Sequence, residues 1–392
     1  MAAALAGCAS PSGPPELSLR AVAWSDLAGW QTDRTAEALR VLLVECNRLG
    51  TLPADTSLGG AGDAATQAGR AGLFRGACRA ARAVPSADDG AARRYFETWF
   101  LPYRVGDRGD ASASFTAYFE PEVAGALGPS AAFPVPVYGR PDDLLTVRAA
   151  DGSKVSGRRQ GNAIVPYWSR ADIDRGALRG RGLEILWLRS PVDLFFLQLQ
   201  GSGRVRLPSG QVVRLGYNGR NGQPYVPLGR LLVQRGALPA DGVSMQSIRA
   251  WLQTHPADAQ ALMEQNPNYV FFKPLDSVGP LDGPPGALGV DLVPLRSAAV
   301  DRAFLPLGVP VFVDTVLPSA APLQRLFLAQ DLGTDIKGPA RADLFLGWGS
   351  RAAADAGAMH GGGTITVLLP RQPAAAPAAP APAVERPWQE VR

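Results

Sequence analysis

Hydrophobic positions upstream of Pro102 recur three and four residues apart, which predicts amphipathic helices. Thr32 or Asp33 is the predicted N-cap of the first helix, and Gly50 lies just beyond its end. The Gly-, Ala- and Thr-rich stretch that follows is predicted to be a loop. The three predicted helices cover residues 33–49, 72–83 and 91–101, and the predicted loop covers residues 51–71.

Beyond Pro102 the pattern alternates between apolar and polar positions, which predicts β-strands separated by Pro and Gly turns. Many short strands after a helical start indicate a mainly β fold, a barrel or sandwich with N-terminal helices. Two helical stretches interrupt the strands at residues 228–234 and 244–265. The predicted strands cover residues 115–119, 183–188, 194–200, 269–273, 309–314, 323–329, 342–346 and 364–369.

Composition limits the possible partners. The 392 residues suffice for two domains, and the net charge of +4 comes with scattered arginines, so nucleic-acid binding is not indicated. A mildly basic surface suits an anionic partner such as a cell-wall polymer. The sequence contains no run of eighteen apolar residues, so it predicts no membrane-spanning helix. The Pro/Ala-rich tail, residues 371–392, is predicted to be disordered.

The N-terminus carries the run Leu5-Ala6-Gly7-Cys8, the pattern at which bacteria cleave a lipoprotein precursor and lipidate the cysteine. The preceding stretch is short for a signal peptide, so we expect the true start to lie upstream. A lipidated Cys8 would anchor the chain to a membrane that faces an oxidising compartment. Ala9, in place of an aspartate, favours the outer membrane.

Cys46 and Cys78 then remain as an even pair in an oxidising compartment, which predicts a disulfide. Its loop of about 33 residues would contribute roughly 3–4 kcal/mol of stability. The alternative is that Cys46 is a small core residue of the first helix. The two histidines form no cluster with cysteine, so no metal site is predicted.

The usual nucleophilic arrangements are missing. His255 and His360 have no evident serine or cysteine partner, and both are interpreted as structural or solvated. In the predicted strand 194–200, Gln198 and Gln200 would share one face, where two amides can hydrogen-bond a sugar. A plain polar barrel face is the alternative.

Three aspartates in the last third of the chain are stronger candidates. Asp301 precedes a Pro/Gly turn, Asp331 ends a predicted strand, and Asp343 lies within another. Burial disfavours an ionised carboxylate and so raises its pKa, which allows the group to hold a proton near neutral pH as a general acid requires. An aspartate that faces water at a strand edge is the alternative.

These aspartates and the residues around them resemble those of a known family. The segment 301–369 resembles the three-aspartate (3D) domain of the MltA family, the membrane-bound lytic murein transglycosylases A. The resemblance extends over residues 106–370 and follows the order of that family's sequence blocks. Those blocks are FTAYFEP at 115–121, QGSG at 200–203, GYNGRNG at 216–222, SMQSIR at 244–249 and QNPNYVFFKP at 265–274.

The resemblance implies a double-psi β-barrel catalytic domain and a second, inserted β domain, with a glycan groove between them. The implied division is a tether at 1–15, a catalytic domain at 16–121 plus 263–370, an insert at 122–262 and a tail at 371–392. Peptidoglycan strands are the implied substrate. The resemblance also implies an outer-membrane lipid anchor, and murein synthases are candidate protein partners. No cofactor is implied.

The implied reaction cleaves the β-1,4 bond between N-acetylmuramic acid and N-acetylglucosamine and forms a 1,6-anhydromuramic end. The family's catalytic acid falls on Asp343, whereas Asp331 and Asp301 are expected to shape the site. Lys337 is expected to contact a carboxylate or a lactyl group. The expected groove-wall residues are Tyr118, Gln200, Ser202 and Asn218.

One departure from the family pattern is Asp335, which stands where a small residue usually precedes Ile-Lys-Gly. If Asp335 or Asp331 activated water beside Asp343, the enzyme would be a hydrolase that leaves a reducing sugar. A further alternative is a non-catalytic lipoprotein that binds murein and is indifferent to the replacement of Asp343.

Overall fold

The computed structural model describes residues 13–148, 154–275, 283–333 and 335–372. Cys8, the start of the predicted tether and most of the predicted tail lie outside the described residues, so those predictions stay as they are. No helix of the described part is long and apolar enough to cross a membrane.

Ten α-helices occur in the described residues. Two short 3₁₀ turns, at Trp24–Asp26 and Ala71–Phe74, lie among the N-terminal helices, and a third lies at Ala240–Gly242. The helices are α1 Thr35–Thr51, α2 Gly62–Ala68, α3 Arg75–Ala81, α4 Asp89–Trp99, α5 Arg170–Asp174, α6 Pro191–Gln200, α7 Leu228–Gln234, α8 Met245–Thr254, α9 Pro256–Met263 and α10 Gly349–Ala358.

Seventeen β-strands occur in the described residues. They are β1 Leu17–Ala21, β2 Phe100–Asp107, β3 Ala113–Glu120, β4 Glu122–Ala126, β5 Val135–Tyr138, β6 Leu145–Arg148, β7 Lys154–Gln160, β8 Ala163–Pro166, β9 Glu184–Leu188, β10 Gly203–Arg206, β11 Val212–Arg220, β12 Val270–Pro274, β13 Ser297–Val300, β14 Pro310–Val316, β15 Pro322–Asp331, β16 Arg341–Trp348 and β17 Gly361–Pro370.

The largest sheet is nearly closed on itself. Its strand order is β1-β2-β17-β14-β15-β13-β16-β3, and β3 also pairs with β17, so six strands form a ring of pairings. Helices α1 to α4 cover this sheet, and Trp30 at their centre contacts Phe96 and Phe312 edge-on. The predicted mainly β fold with N-terminal helices is confirmed.

The chain between β3 and β13 forms two separate sheets. One has the order β12-β11-β10-β4-β9-β5, and the other is the small sheet β6-β7-β8. Because β12 pairs with β11, the inserted sheet continues past residue 262, the end of the insert that the sequence predicts.

The predicted strand at 194–200 is wrong, because this segment is helix α6. Ser190 accepts a hydrogen bond from the Val192 amide, Pro191 occupies the first turn, and Gly201 ends the helix with a φ of +77°. The segment is buried nearly all round, so it lacks the periodicity that distinguishes a helix from a strand. Gln198 and Gln200 therefore do not share a strand face.

The N-terminal region also departs from prediction in two places. The predicted loop at 51–71 contains α2, whose buried positions are the small residues Ala64 and Ala68 and give a weak apolar signal. Asp33 does not cap α1 but accepts hydrogen bonds from the buried Arg296 and from the Leu326 amide. A residue distant in sequence, Asp89, accepts the hydrogen bond of the Ala36 amide instead.

A disulfide joins α1 to α3. Cys46 and Cys78 are both buried, with Cα atoms 5.4 Å apart and a sequence separation of 32 residues. Because the bridge restricts the unfolded chain more than the folded one, it stabilises the packing of these helices against the sheet.

We expect the double replacement C46A/C78A to lower the free energy of unfolding by about 3–4 kcal/mol, the value for loop closure of this length. Urea denaturation of the oxidised protein measures the change. Reduction of the wild type should produce a similar loss and leave the double variant unaffected. An equal denaturation midpoint for oxidised and reduced wild type would contradict the expectation.

Candidate active site

The register of two parallel strands creates the centre of the candidate site. Strand β16 pairs in parallel with β3, and this register places Asp343 directly opposite Thr116. The Thr116 hydroxyl donates a hydrogen bond of 2.6 Å to Asp343 Oδ1. On its other side β16 pairs with β13, where Ala299 lies opposite Asp343. A carboxyl group is thus fixed in the middle of a sheet.

Asp343 has an electrostatic environment suited to holding a proton. Burial raises the pKa of its carboxyl, and the neighbouring charge of Asp331 raises it further. The hydrogen bond from Thr116 and the charge of Arg341 act in the opposite direction, and the net shift is upward. Asp343 Oδ2 accepts no hydrogen bond from the described residues, so this oxygen is available for a proton.

A second carboxyl group, that of Asp331, belongs to the same site. Tyr118 donates to Asp331 Oδ2 at 2.9 Å, and the Ala287 amide donates to Oδ1 at 3.0 Å. Burial is the main cause that raises the pKa of Asp331, and it also raises the pKa of Tyr118 well above its ordinary value. Both oxygens of Asp331 are therefore occupied, unlike those of Asp343.

Asp301 lies in a turn rather than beside Asp343. It follows β13 and accepts hydrogen bonds from the Ala303 amide at 3.0 Å and the Gly338 amide at 2.9 Å. Gly338 has a φ of +100°, a conformation that favours glycine, so Asp301 fixes a turn that other residues would strain to adopt. The neighbouring Lys337 and Asp335 are exposed.

Lys337 makes no ion pair with any carboxylate of the described residues, so the expected contact with a protein carboxylate is absent there. A contact with a lactyl group stays a prediction.

The expected groove-wall residues fall into two groups. Tyr118 and Gln200 line one cavity of about 260 Å³, which we call the groove cavity and which is also lined by Ser244, Gln246 and His360. Ser202 and Asn218 are half-buried and lie in the insert, next to β10 and within β11. Tyr118 links the groove cavity to the carboxyl groups through its hydrogen bond to Asp331, but neither Asp331 nor Asp343 lines this cavity.

Two residues of the site were missed in the sequence. Thr116 holds Asp343, and Arg341 donates to the Thr116 hydroxyl oxygen at 2.8 Å, which forms a chain of hydrogen bonds that ends at the carboxyl group. Arg341 and Asp343 are two positions apart in one strand and so face the same side. This alternation was the available signal for Arg341.

Both histidines lie outside this hydrogen-bonded arrangement. His255 stacks on Trp251 with ring centroids 4.4 Å apart, and His360 is exposed at the rim of the groove cavity. Within the described ranges, no group of three or more His, Cys, Asp or Glu side chains is placed to hold a metal ion.

A buried charge cluster joins the insert to the large sheet beside the site. Glu120, at the end of β3, receives a hydrogen bond of 2.8 Å from Arg214 and lies 3.7 Å from Arg204, and all three side chains are almost fully buried. The guanidinium of Arg204 lies 4.2 Å from the ring centre of Trp348, the residue opposite Glu120 in the β16–β3 register.

The fold and site define a class of protein with two parts, a large sheet that holds the buried aspartates and a β unit inserted into it. Comparisons with known proteins agree with this description. Residues 114–273 match the model of the MltA specific insert domain, and residues 296–369 match that of the 3D domain. The membrane-bound lytic murein transglycosylase A of Vibrio cholerae is 33% identical over 272 residues, which is 67% of each chain. The Escherichia coli K12 protein of that name is 36% identical over 208 residues, 51% of this chain and 55% of its own.

Solved structures give the same answer over most of the chain. MltA from Neisseria gonorrhoeae superposes with a TM-score of 0.77 at 30% identity and covers 93% of this chain and 95% of its own. The lytic transglycosylase LtgG of Burkholderia pseudomallei gives 0.62 at 38% identity, covering 92% and 98%. The chain therefore belongs to the membrane-bound lytic murein transglycosylase A (MltA) family, which confirms the resemblance seen in its sequence.

We expect two replacements to move the pKa of Asp343 in opposite directions. T116V removes a hydrogen bond to the ionised carboxyl group and should raise the pKa, whereas D331N removes a like charge and should lower it. Carboxyl ¹³C NMR titration, with D343N to assign the signal, measures both shifts.

The variant T116S keeps the hydroxyl group and serves as the control, so its Asp343 should titrate like the wild type. Shifts of the same sign in T116V and D331N would contradict this description of the site.

Proposed function

We propose that Asp343 performs glycan cleavage in this chain as a single group, first as a general acid and then as a general base. The family consists of lytic murein transglycosylases, and the chain is accordingly a peptidoglycan lytic transglycosylase. The observation that carries the proposal is the raised pKa of a carboxyl group that is held at one oxygen by Thr116 and open at the other.

The proposed reaction starts with proton transfer from Asp343 Oδ2 to the glycosidic oxygen, while the bond from that oxygen to C1 of N-acetylmuramic acid breaks. The carboxylate then removes the proton of the C6 hydroxyl group of the same sugar, and O6 bonds to C1. The products are a 1,6-anhydromuramic end and a free 4-hydroxyl group. Asp343 regains its proton, and water is not consumed.

One carboxyl group suffices for this route, because the attacking oxygen belongs to the substrate. Ordinary glycosidases need a second carboxylate to activate water or to attack the sugar. Here proximity within one sugar ring replaces that group. The two hydrogen bonds to Asp331 support a positioning role for this residue, in which its oxygens hold Tyr118 and the Ala287 amide.

The remaining site assignments are part of the same proposal. Tyr118 and Gln200 form one part of the groove wall, with Ser202 and Asn218 further along the insert and Lys337 beside the turn that Asp301 fixes. An MltA structure from E. coli carries bound chitohexaose, has a TM-score of 0.60 at 25% identity and covers 87% of this chain and 91% of its own. That ligand supports binding of an amino-sugar polymer by this chain.

We also propose a division of the chain into a catalytic domain with a double-psi β-barrel and an insert. The six-strand ring of pairings that includes β3 and β17 supports the barrel. The pairing of β12 with β11 supports an insert that runs from residue 122 to about residue 275, longer than the sequence suggested.

The decisive test is incubation of the purified chain with murein sacculi, followed by mass spectrometry of the released muropeptides. The expected products are lighter than hydrolytic muropeptides by one water and resist borohydride reduction. D343N should lower their rate of release by about 10²- to 10⁴-fold, the usual contribution of a general acid–base group.

D335N is the matched control, since Asp335 is an exposed aspartate of the same segment and should be dispensable. Reducible ends, with a loss of activity in D335N or D331N comparable to that in D343N, would establish the hydrolase instead. Intact sacculi that retain bound protein would establish the non-catalytic binding protein.

We propose that Cys8 is lipidated and anchors the chain to the periplasmic face of the outer membrane, where murein synthases are its candidate partners. The relatives are named membrane-bound, which supports membrane association.

In cell fractionation, we expect C8A to move the chain from the membrane to the soluble fraction. An unchanged distribution would contradict the proposed anchor, and C46A/C78A controls for effects of the other cysteines.

A further inference from the structure

A second cavity lies on the other side of α6 from the groove cavity. It measures about 620 Å³, and we call it the side cavity. Gln200 lines the groove cavity, whereas its neighbours Leu199 and Gly201 line the side cavity, so only the C-terminal end of α6 separates the two. The lining residues that bear on its chemistry are Arg170, Gln198, Tyr217, Arg220 and Tyr225.

An irregularity in β11 brings two of these residues together. Tyr217 and Arg220 are three positions apart, so a regular strand would direct them to opposite faces. The pairing with β12 shifts between them, and their partners Phe272 and Val270 are only two positions apart, hence on one face. The bulge, which includes Gly219 at a φ of +117°, therefore directs both side chains to the same cavity.

The side cavity contains polar groups without partners. Gln198 is 5% exposed and donates through Nε2 to the Val270 carbonyl, but its Oε1 accepts no hydrogen bond from the described residues. This oxygen is buried with almost no accessible surface, so Gln198 shapes the wall of the side cavity and does not present a free acceptor to it. Arg220 is exposed and forms no ion pair within the described part of the chain. Tyr217 and Tyr225 present exposed rings, 53% and 48% accessible.

The charge of the side cavity is positive. Its lining includes Arg170 and Arg220 and no aspartate or glutamate among the described residues. Arg170 is buried, donates to the carbonyls of Asn266 and Asn268 and interacts with the charge of Asp174, so the exposed Arg220 is the main positive group of the side cavity. Another cavity of the insert, about 750 Å³, is lined by three acidic residues, Asp174, Glu184 and Glu264, and also by three arginines, Arg170, Arg175 and Arg179, so its charges balance.

We propose that the side cavity binds the acidic peptide that the glycan strand carries on its muramic acid, an inference that rests on the proposed function. In a peptide-bearing strand the sugars are uncharged, because each lactyl carboxyl group is bound in an amide, and the charge lies on the peptide carboxylates. An amidase frees the lactyl carboxylates, which lie at the sugar ring and so outside the side cavity. Arg220 pairs with a peptide carboxylate, and the two tyrosine rings cover the peptide's apolar groups. A strand in the groove cavity reaches this site past the end of α6.

The test compares glycan strands that carry peptides with the same strands after an amidase has removed them. We expect R220A to raise KM about three- to tenfold for peptide-bearing strands, the effect of losing one hydrogen bond of ordinary net strength at an exposed site, with kcat unchanged. KM for stripped strands should change by less than about twofold. R220K, which keeps the charge but not the planar fork, should fall between.

R235A is the matched control, because Arg235 is an exposed arginine of the insert that lines neither cavity. The KM of the wild type for peptide-bearing strands should rise with salt, and that dependence should weaken in R220A but not in R235A. An equal rise of KM on both substrates, or no change on either, would overturn the proposal.

Binding separates this inference from the cleavage on which it rests. If the wild type cleaves neither substrate, the proposed function fails, and calorimetry with soluble fragments decides the cavity by itself. D343N should bind a peptide-bearing fragment more tightly than a stripped one, and D343N/R220A should lose that difference. Equal affinities for both fragments in D343N would contradict the peptide site.

Discussion

The parallel pairing of β3 with β16 is the constraint on which the site depends. These strands lie far apart in the sequence, and their register alone decides that Thr116 faces Asp343. A shift by one residue would turn the carboxyl group to the other face of the sheet and separate it from both Thr116 and Arg341. The insert lies between β3 and β16 in the sequence. Its folding therefore has to preserve the register in which these two strands pair.

Much of the fold could be predicted from the sequence, because its signals are local. The helices around α1 and α4 and most strands of the large sheet show clear periodicity, and the ordered motifs identified the family. Helix α6 was missed because a segment buried on nearly every side has no polar face to reveal its period. Asp33 was read as a cap because its partner Arg296 lies in a distant part of the chain.

Some features of the site could likewise be predicted from the sequence, and others could not. Asp343 and Asp331 stand out as carboxylates in apolar strands, a feature visible in the sequence. The hydrogen bond from Thr116 and the irregular register of β11 are products of strand pairing, which the sequence does not specify residue by residue. Asp301 illustrates the intermediate case, since its position was notable but its hydrogen bond to the Gly338 amide depends on tertiary structure.

The cluster of Glu120, Arg204 and Arg214 has a consequence for how this architecture can be altered. The large sheet contributes the carboxyl group and the insert contributes both arginines, and burial raises the pKa of Glu120 to about 7 even with the two arginines nearby. A foreign insert without both arginines would leave the carboxyl group of Glu120 buried without its partners, which is costly. An insert can therefore be exchanged between relatives only if it brings both arginines to a sheet that has Glu120 and Trp348. The residues at this junction limit which domains can be grafted onto each other.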